Sequence, residues 1–130
     1  MRQAREWFGT NFKASNMEDV QKIAPQGSTE SAYLRMVVSY WEMVAGFITA
    51  GVLNKDLFFQ SGGELLFVWE RIKEMAPEFR ASMKNPLVWS NLEAVANDYY
   101  AYMNSKAPEA LAGFQAMVRG AGAEPEATRR

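Results

Sequence analysis

Residues 28–50 constrain the fold more than any other part of the chain, because their apolar side chains recur with the period of an α-helix. The dominant stripe, spaced at three and four residues, consists of Tyr33, Val37, Trp41, Val44 and Ile48. That spacing is typical of one helix face. Four further apolar residues extend the surface around the helix: Met36, Tyr40, Met43 and Phe47. A helix with so little polar surface is expected at the centre of a bundle or in a subunit interface.

The rest of the chain also shows helical periodicity between breakers. Asn16 and Asn54 are expected to cap short helices, and Gly51 to end the long one. Asn85-Pro86 has the cap-then-proline order of a helix start. No segment alternates apolar and polar residues as a strand would. We therefore predict an all-α fold: a single-domain helical bundle, residues 1–119, with four to five principal helices around the central hydrophobic helix, followed by a flexible tail at 120–130.

Composition limits the chemistry, since the 130 residues include no histidine and no cysteine. Zinc, copper and iron–sulfur sites are built from imidazole and thiolate, and Ser–His–Asp or Cys–His catalysis needs the same groups. We therefore expect no metal site and no cofactor. Carboxylates, Lys, Tyr and Ser remain available for catalysis, but they show no diagnostic spacing, so we expect no catalytic residues and a protein that is not an enzyme. The formal net charge of −1 leaves no basic excess for nucleic acid. Absent cysteine fits a reducing compartment, so we expect a cytoplasmic location.

Residues 36–53 are the one stretch to compare with a membrane span. Glu42 lies near its middle, and a central carboxylate costs about 2.5–3.5 kcal/mol on insertion. The first residues also lack the apolar core of a signal peptide. We therefore interpret the stretch as a buried helix of a soluble protein and expect no association with a membrane.

Glu42 is the strongest candidate for a functional residue, because it is a carboxylate between Trp41 and Met43 on the apolar helix. A carboxylate there could face a pocket as a general acid or a ligand anchor. It could also form a structural pair with an arginine, since buried carboxylates are normally paired. The arginines within reach are Arg35, Arg71 and Arg80. We favour the structural role and leave both open at this point.

Arg80 could clamp a ligand carboxylate in bidentate fashion, or it could hold its helix to Glu42 or Glu74. Trp41 and Trp69 could line an aromatic pocket, although their positions on helical stripes make core packing the default. The candidate binding residues are therefore Glu42, Arg80, Trp41, Trp69 and Arg35. Four charged residues are expected largely on the exposed side of the Trp69 helix: Glu70, Arg71, Lys73 and Glu74.

The order of motifs over residues 33–80 carries a resemblance to a known family. The segment VSYWEMVA at residues 38–45 contains an aromatic–Glu step; GVLNKDL follows at 51–57, and then Trp69 and Arg80. This pattern resembles an uncharacterised family of bacterial helical domains of unknown function. Many members carry an N-terminal membrane helix, which we do not find here, so a tethered location is not carried over. The resemblance implies an all-helical fold and no assigned activity.

Two functional hypotheses follow. The first is a non-enzymatic interaction module that forms a homo-oligomer, such as a homodimer, or binds a protein partner through an apolar helix face. Its basis is the excess of apolar helical surface together with the missing catalytic side chains. The alternative is a small-ligand-binding bundle whose aromatic pocket is anchored by Glu42 and Arg80.

Overall fold

Eight α-helices follow one another in residues 1–120, the part of the chain that the computed structural model describes. Their bounds are α1 Arg2–Asn11, α2 Met17–Ile23, α3 Thr29–Thr49, α4 Lys55–Phe59, α5 Gly63–Ile72, α6 Ala76–Met83, α7 Ser90–Lys106 and α8 Pro108–Gly120. A 3-10 turn, Lys73–Met75, joins α5 to α6. Five helices have ten or more residues: α1, α3, α5, α7 and α8. The all-α prediction is confirmed; the tail predicted for the last residues lies, beyond Gly120, outside the described part.

Local side-chain caps set several helix starts. The Asn16 side chain accepts a hydrogen bond from the backbone N–H of Asp19 at 2.8 Å, and Ser28 does the same for Ser31 at 3.1 Å. Asn54 caps α4 in the same way. Gly51 ends α3 in the left-handed conformation, with φ of 83°, which glycine adopts without steric cost. The predictions for Asn16, Asn54 and Gly51 are confirmed.

α3 is the central helix, and α1 and α7 pack along it. Its inward face buries Val37, Val38, Ala45 and Ile48. α5 lies against α7 and α8 and completes the core. The largest fully buried side chains include Phe8, Phe12, Leu65, Ile72, Met75 and Leu92. One side of α3 nevertheless remains exposed to solvent, and the candidate functional site includes this side.

The predicted helix start at Asn85-Pro86 is wrong. α7 begins only at Ser90, because Trp89 takes a left-handed conformation with φ of 60°. The Asn85 side chain instead closes a tight turn by accepting from the N–H of Leu87 at 2.9 Å. The Trp89 ring stacks on Phe79 with centroids 4.8 Å apart and planes 15° from parallel. This tertiary contact accompanies a backbone conformation that local propensity disfavours.

Candidate functional site

An apolar stripe runs along the solvent side of α3. It consists of Met36, Tyr40, Met43 and Phe47, which are each between 42% and 49% exposed. Their spacing of four, three and four residues places them on one face of the helix. We call these four residues the α3 stripe. Large contiguous apolar patches on a folded chain mark interaction sites more often than chance exposure does.

Glu42 lies half-buried beside the stripe and binds the start of α7. Its carboxylate oxygens accept hydrogen bonds from the backbone N–H of Leu92 at 2.9 Å, the N–H of Asn91 at 3.3 Å and the Asn91 side-chain amide at 3.1 Å. α7 has no side-chain cap from its own N-cap residue. Glu42 therefore caps α7 from a neighbouring helix, where the dipole favours an anion.

The predicted pairing of Glu42 with an arginine is wrong: among residues 1–120, its bonding partners are Asn91 and Leu92. Asn91 also accepts a hydrogen bond from the Thr49 hydroxyl at 2.8 Å, so that it ties α7 to two turns of α3. Asn91 was missed in the sequence, where no local signal distinguishes it from any other polar residue near a helix start.

Arg80 binds the turn before α7 and the start of α7 itself. Its Nε donates to the carbonyl of Val88 at 2.7 Å, and its Nη2 lies 2.8 Å from Glu93 Oε1. It contacts neither Glu42 nor Glu74, the partners that the sequence suggested. Arg80 therefore fastens the turn and the start of α7 to α6.

The two candidate tryptophans lie apart. Trp69 is buried in the core at 5% exposure. Trp41 is half-buried in α3, and its Nε1 is enclosed without a hydrogen-bond partner among the described residues. The structure thus does not bring the five candidate residues into one aromatic pocket.

A groove beside α3 holds two of those five residues. Its volume is about 590 Å³, and it lies between α3, α2 and the segment from Met75 to Trp89. Apolar side chains make most of its wall: Val20, Leu34, Val38, Met75, Phe79 and Trp89. Arg35 and Glu42 lie along its α3 side. The groove has the size and character of small-molecule sites, which are mostly apolar with a few polar groups.

Comparison with known proteins decides the family. A family model described as a domain of unknown function (DUF4760) matches residues 1–99. The chain belongs to this family. The resemblance noted in the sequence is thereby confirmed. No curated protein and no solved structure matches the chain.

The DUF4760 match ends within α7, so that α8 lies beyond it. No helix in residues 1–120 is both long and apolar enough to cross a membrane. The same part of the chain contains no cluster of three or more carboxylates able to hold a metal ion. The α3 stripe, Glu42 and the groove all fall inside the matched DUF4760 region.

Arg71 of the DUF4760 domain is buried, which the sequence did not predict. Its guanidinium donates to carbonyls near the end of α1, those of Phe12 at 2.6 Å, Phe8 at 3.1 Å and Gly9 at 3.4 Å. It also donates to the carbonyl of Val118 in the last turn of α8, at 3.3 Å. Burial lowers the pKa of Arg71, which remains a cation. Its charge therefore offsets the negative ends of two helices.

Glu70 is also buried, contrary to its predicted place on an exposed face. Its side chain, 1% exposed, accepts hydrogen bonds from the Tyr100 hydroxyl, from Gln115 at 3.0 Å and from Lys73 at 3.1 Å. Burial raises the pKa of Glu70, whereas the three hydrogen bonds together lower it by a larger amount. The pKa of Glu70 is therefore below its ordinary value. Burial and the nearby carboxylate raise the pKa of Tyr100. The network fastens α5 to α7 and α8.

These buried charges could not be assigned from helical periodicity alone. A period-based pattern places Glu70 and Arg71 opposite Trp69, yet α5 is enclosed by α1 on one side and by α7 and α8 on the other. A helix that is surrounded buries polar positions too, provided that each finds a partner. The charged residues of α5 therefore hold the bundle together.

Proposed function

We propose that this domain is a non-enzymatic interaction module that self-associates through the α3 stripe, with a second copy of the chain as its partner. The single observation that supports this proposal is the stripe itself, four large apolar side chains left 42–49% exposed on the most central helix. Exposing such residues in a monomer is unfavourable, because each buried apolar Å² stabilises by roughly 25 cal/mol.

The spacing of the stripe suits helix–helix pairing. Steps of four, three and four residues follow the seam of a coiled coil, in which side chains of one helix fit between those of the other. Ser39 lies beside the stripe and is small and exposed, so a second helix can approach closely there. A two-fold contact uses the same patch on both copies, and a single apolar stripe meets that condition.

The area of the patch fits a weak dimer. Taking about 150–250 Å² for each large side chain, the exposed fractions of the α3 stripe amount to on the order of 400 Å². Val52 and Leu53 adjoin it, because their N–H groups bind the carbonyl of Phe47, and they are 72% and 39% exposed. Together these residues offer roughly 600 Å² per copy, so two copies bury at most about 1,200 Å², the lower end for specific interfaces.

Analytical ultracentrifugation over a range of protein concentrations tests the proposal. The wild-type chain should dimerise with a dissociation constant on the order of micromolar. Met43→Glu places a charge in the middle of the stripe and should give a monomer. Met117→Glu is the matched control, because Met117 is 52% exposed on α8, away from the stripe.

Two outcomes would contradict self-association through this face. The first is a wild-type chain that stays monomeric at every concentration measured. The second is dimerisation that Met43→Glu leaves intact or that Met117→Glu abolishes equally. Circular dichroism of each variant shows whether the helical fold is kept, so that unfolding is not mistaken for dissociation.

Two further predictions accompany this proposal and rest on composition. The missing histidine and cysteine support a non-enzymatic role, and the missing cysteine supports a cytoplasmic location. Activity screening and localisation of a tagged chain are their respective tests.

A further inference from the structure

We propose that the groove beside α3 binds a small amphipathic anion, with its apolar body in the groove and its acidic group on Arg35. This site is separate from the α3 stripe and does not depend on self-association. The argument combines the walls of the groove, its dimensions and the state of its two charged residues.

The walls of the groove are apolar and largely preformed. Val38 and Met75 are buried at its base, while Leu34, Phe79 and Trp89 remain partly accessible. The stacked rings of Phe79 and Trp89 form a flat side. An apolar ligand in such a site displaces water without requiring rearrangement of the walls.

The dimensions of the groove suit a small molecule. The α3 residues that line the groove run from Ser31 to Glu42, about 16 Å at 1.5 Å per residue. The volume of about 590 Å³ lies within the range of small-ligand sites.

The charges favour an acid. Glu42 and Arg35 are the charged residues along the groove, and the Glu42 carboxylate is already bound by three hydrogen bonds from the start of α7. Arg35 is exposed and donates to the Ser31 hydroxyl at 3.3 Å. No carboxylate within residues 1–120 forms an ion pair with it. A planar guanidinium binds a carboxylate with two parallel hydrogen bonds.

Isothermal titration calorimetry with three probes of equal chain length tests the proposal: dodecanoate and dodecylammonium below their micelle concentrations, and dodecanol below its solubility limit. Dodecanoate should bind saturably and more tightly than the other two. Arg35→Met keeps the apolar stem and removes the charge, so it should weaken dodecanoate binding about ten- to a hundred-fold. Arg2→Met, at an exposed arginine of α1, should leave binding unchanged.

Two further variants locate the site. Gln21→Trp, on the exposed rim of the groove, should fill it and abolish binding. Met43→Gln should retain binding, because it removes an apolar side chain of the α3 stripe without adding charge near the groove. The proposal is overturned if dodecanoate does not bind, if dodecylammonium binds as tightly, or if Arg35→Met or Gln21→Trp has no effect. Loss of binding in Met43→Gln would place the ligand on the stripe and would also overturn the proposal.

Discussion

Replacing Glu42 by alanine should destabilise the fold, because Glu42 supplies the missing cap of α7. The substitution removes three hydrogen bonds, two of them from backbone N–H groups at the helix start. Losing a helix cap costs about 0.5–2 kcal/mol, and losing a partly buried charge at a helix end costs up to about 2 kcal/mol. We therefore expect the free energy of unfolding to fall by about 2–3 kcal/mol.

Glutamine at the same position separates the charge from the shape. Glu42→Gln keeps one acceptor oxygen but loses the negative charge, so we expect a loss of about 1 kcal/mol. In a domain of this size, Glu42→Ala should lower the melting temperature by roughly 6–12 °C. The amide protons of Asn91 and Leu92 should also exchange faster with solvent in both variants.

The measurement is urea denaturation followed by circular dichroism, with hydrogen exchange at the start of α7. Glu6→Ala is the control, since Glu6 is an exposed glutamate within α1 and has the same change in helix propensity. If Glu42→Ala and Glu6→Ala differ by less than about 0.5 kcal/mol, the capping argument is refuted. Unchanged exchange at Asn91 and Leu92 would refute it independently.

Arg71→Met should lower the free energy of unfolding, measured by urea denaturation, by about 3 kcal/mol or more, because it leaves buried carbonyls of α1 and α8 without donors. A decrease of less than about 1 kcal/mol would show that other groups satisfy these carbonyls. Glu70 has a lowered pKa in the folded state, so its contribution to stability is present above the unfolded pKa of about 4.3 and is lost as pH falls through the folded value. The stability difference between wild type and Glu70→Gln should therefore be largest near neutral pH and shrink under acid, and a difference that grows under acid would reverse the sign. Gly62→Ala should destabilise by about 1–3 kcal/mol, because its Cβ would lie 2.3 Å from the Phe58 ring. Gly63→Ala, with nothing within 4 Å, should be neutral or stabilising, and equal thermal shifts for the two variants would contradict this difference.

The helices and their short-range caps could be predicted from the sequence because the interactions that form them are local. Asn16 and Ser28 each bind a backbone N–H three residues along the chain, and Gly51 needs only its own conformational freedom. The helix face that contains Tyr33, Val37 and Ile48 likewise follows from helical period alone. Such features depend on residues within one or two turns, which adjacent sequence positions specify.

The same reasoning predicted only part of the candidate site. Arg35 and Glu42 were identified, and the structure places both along one groove. Arg80 and Trp69 were grouped with them on residue type, yet one binds Glu93 and the other fills the core. Residue type shows which chemistry a side chain can perform, whereas the packing of helices decides whether two such side chains meet.

By itself, the sequence determined an all-helical chain with a central apolar helix and without imidazole or thiol chemistry. Only the tertiary structure decided which charged groups would be enclosed and which apolar ones would stay exposed. Glu42 reaches Leu92 across fifty positions, and Arg71 reaches Phe12 across fifty-nine. Contacts between residues so far apart in the sequence form only when the helices pack. Packing removes water from the buried polar groups, and each of them then needs a hydrogen-bond partner on the neighbouring backbone.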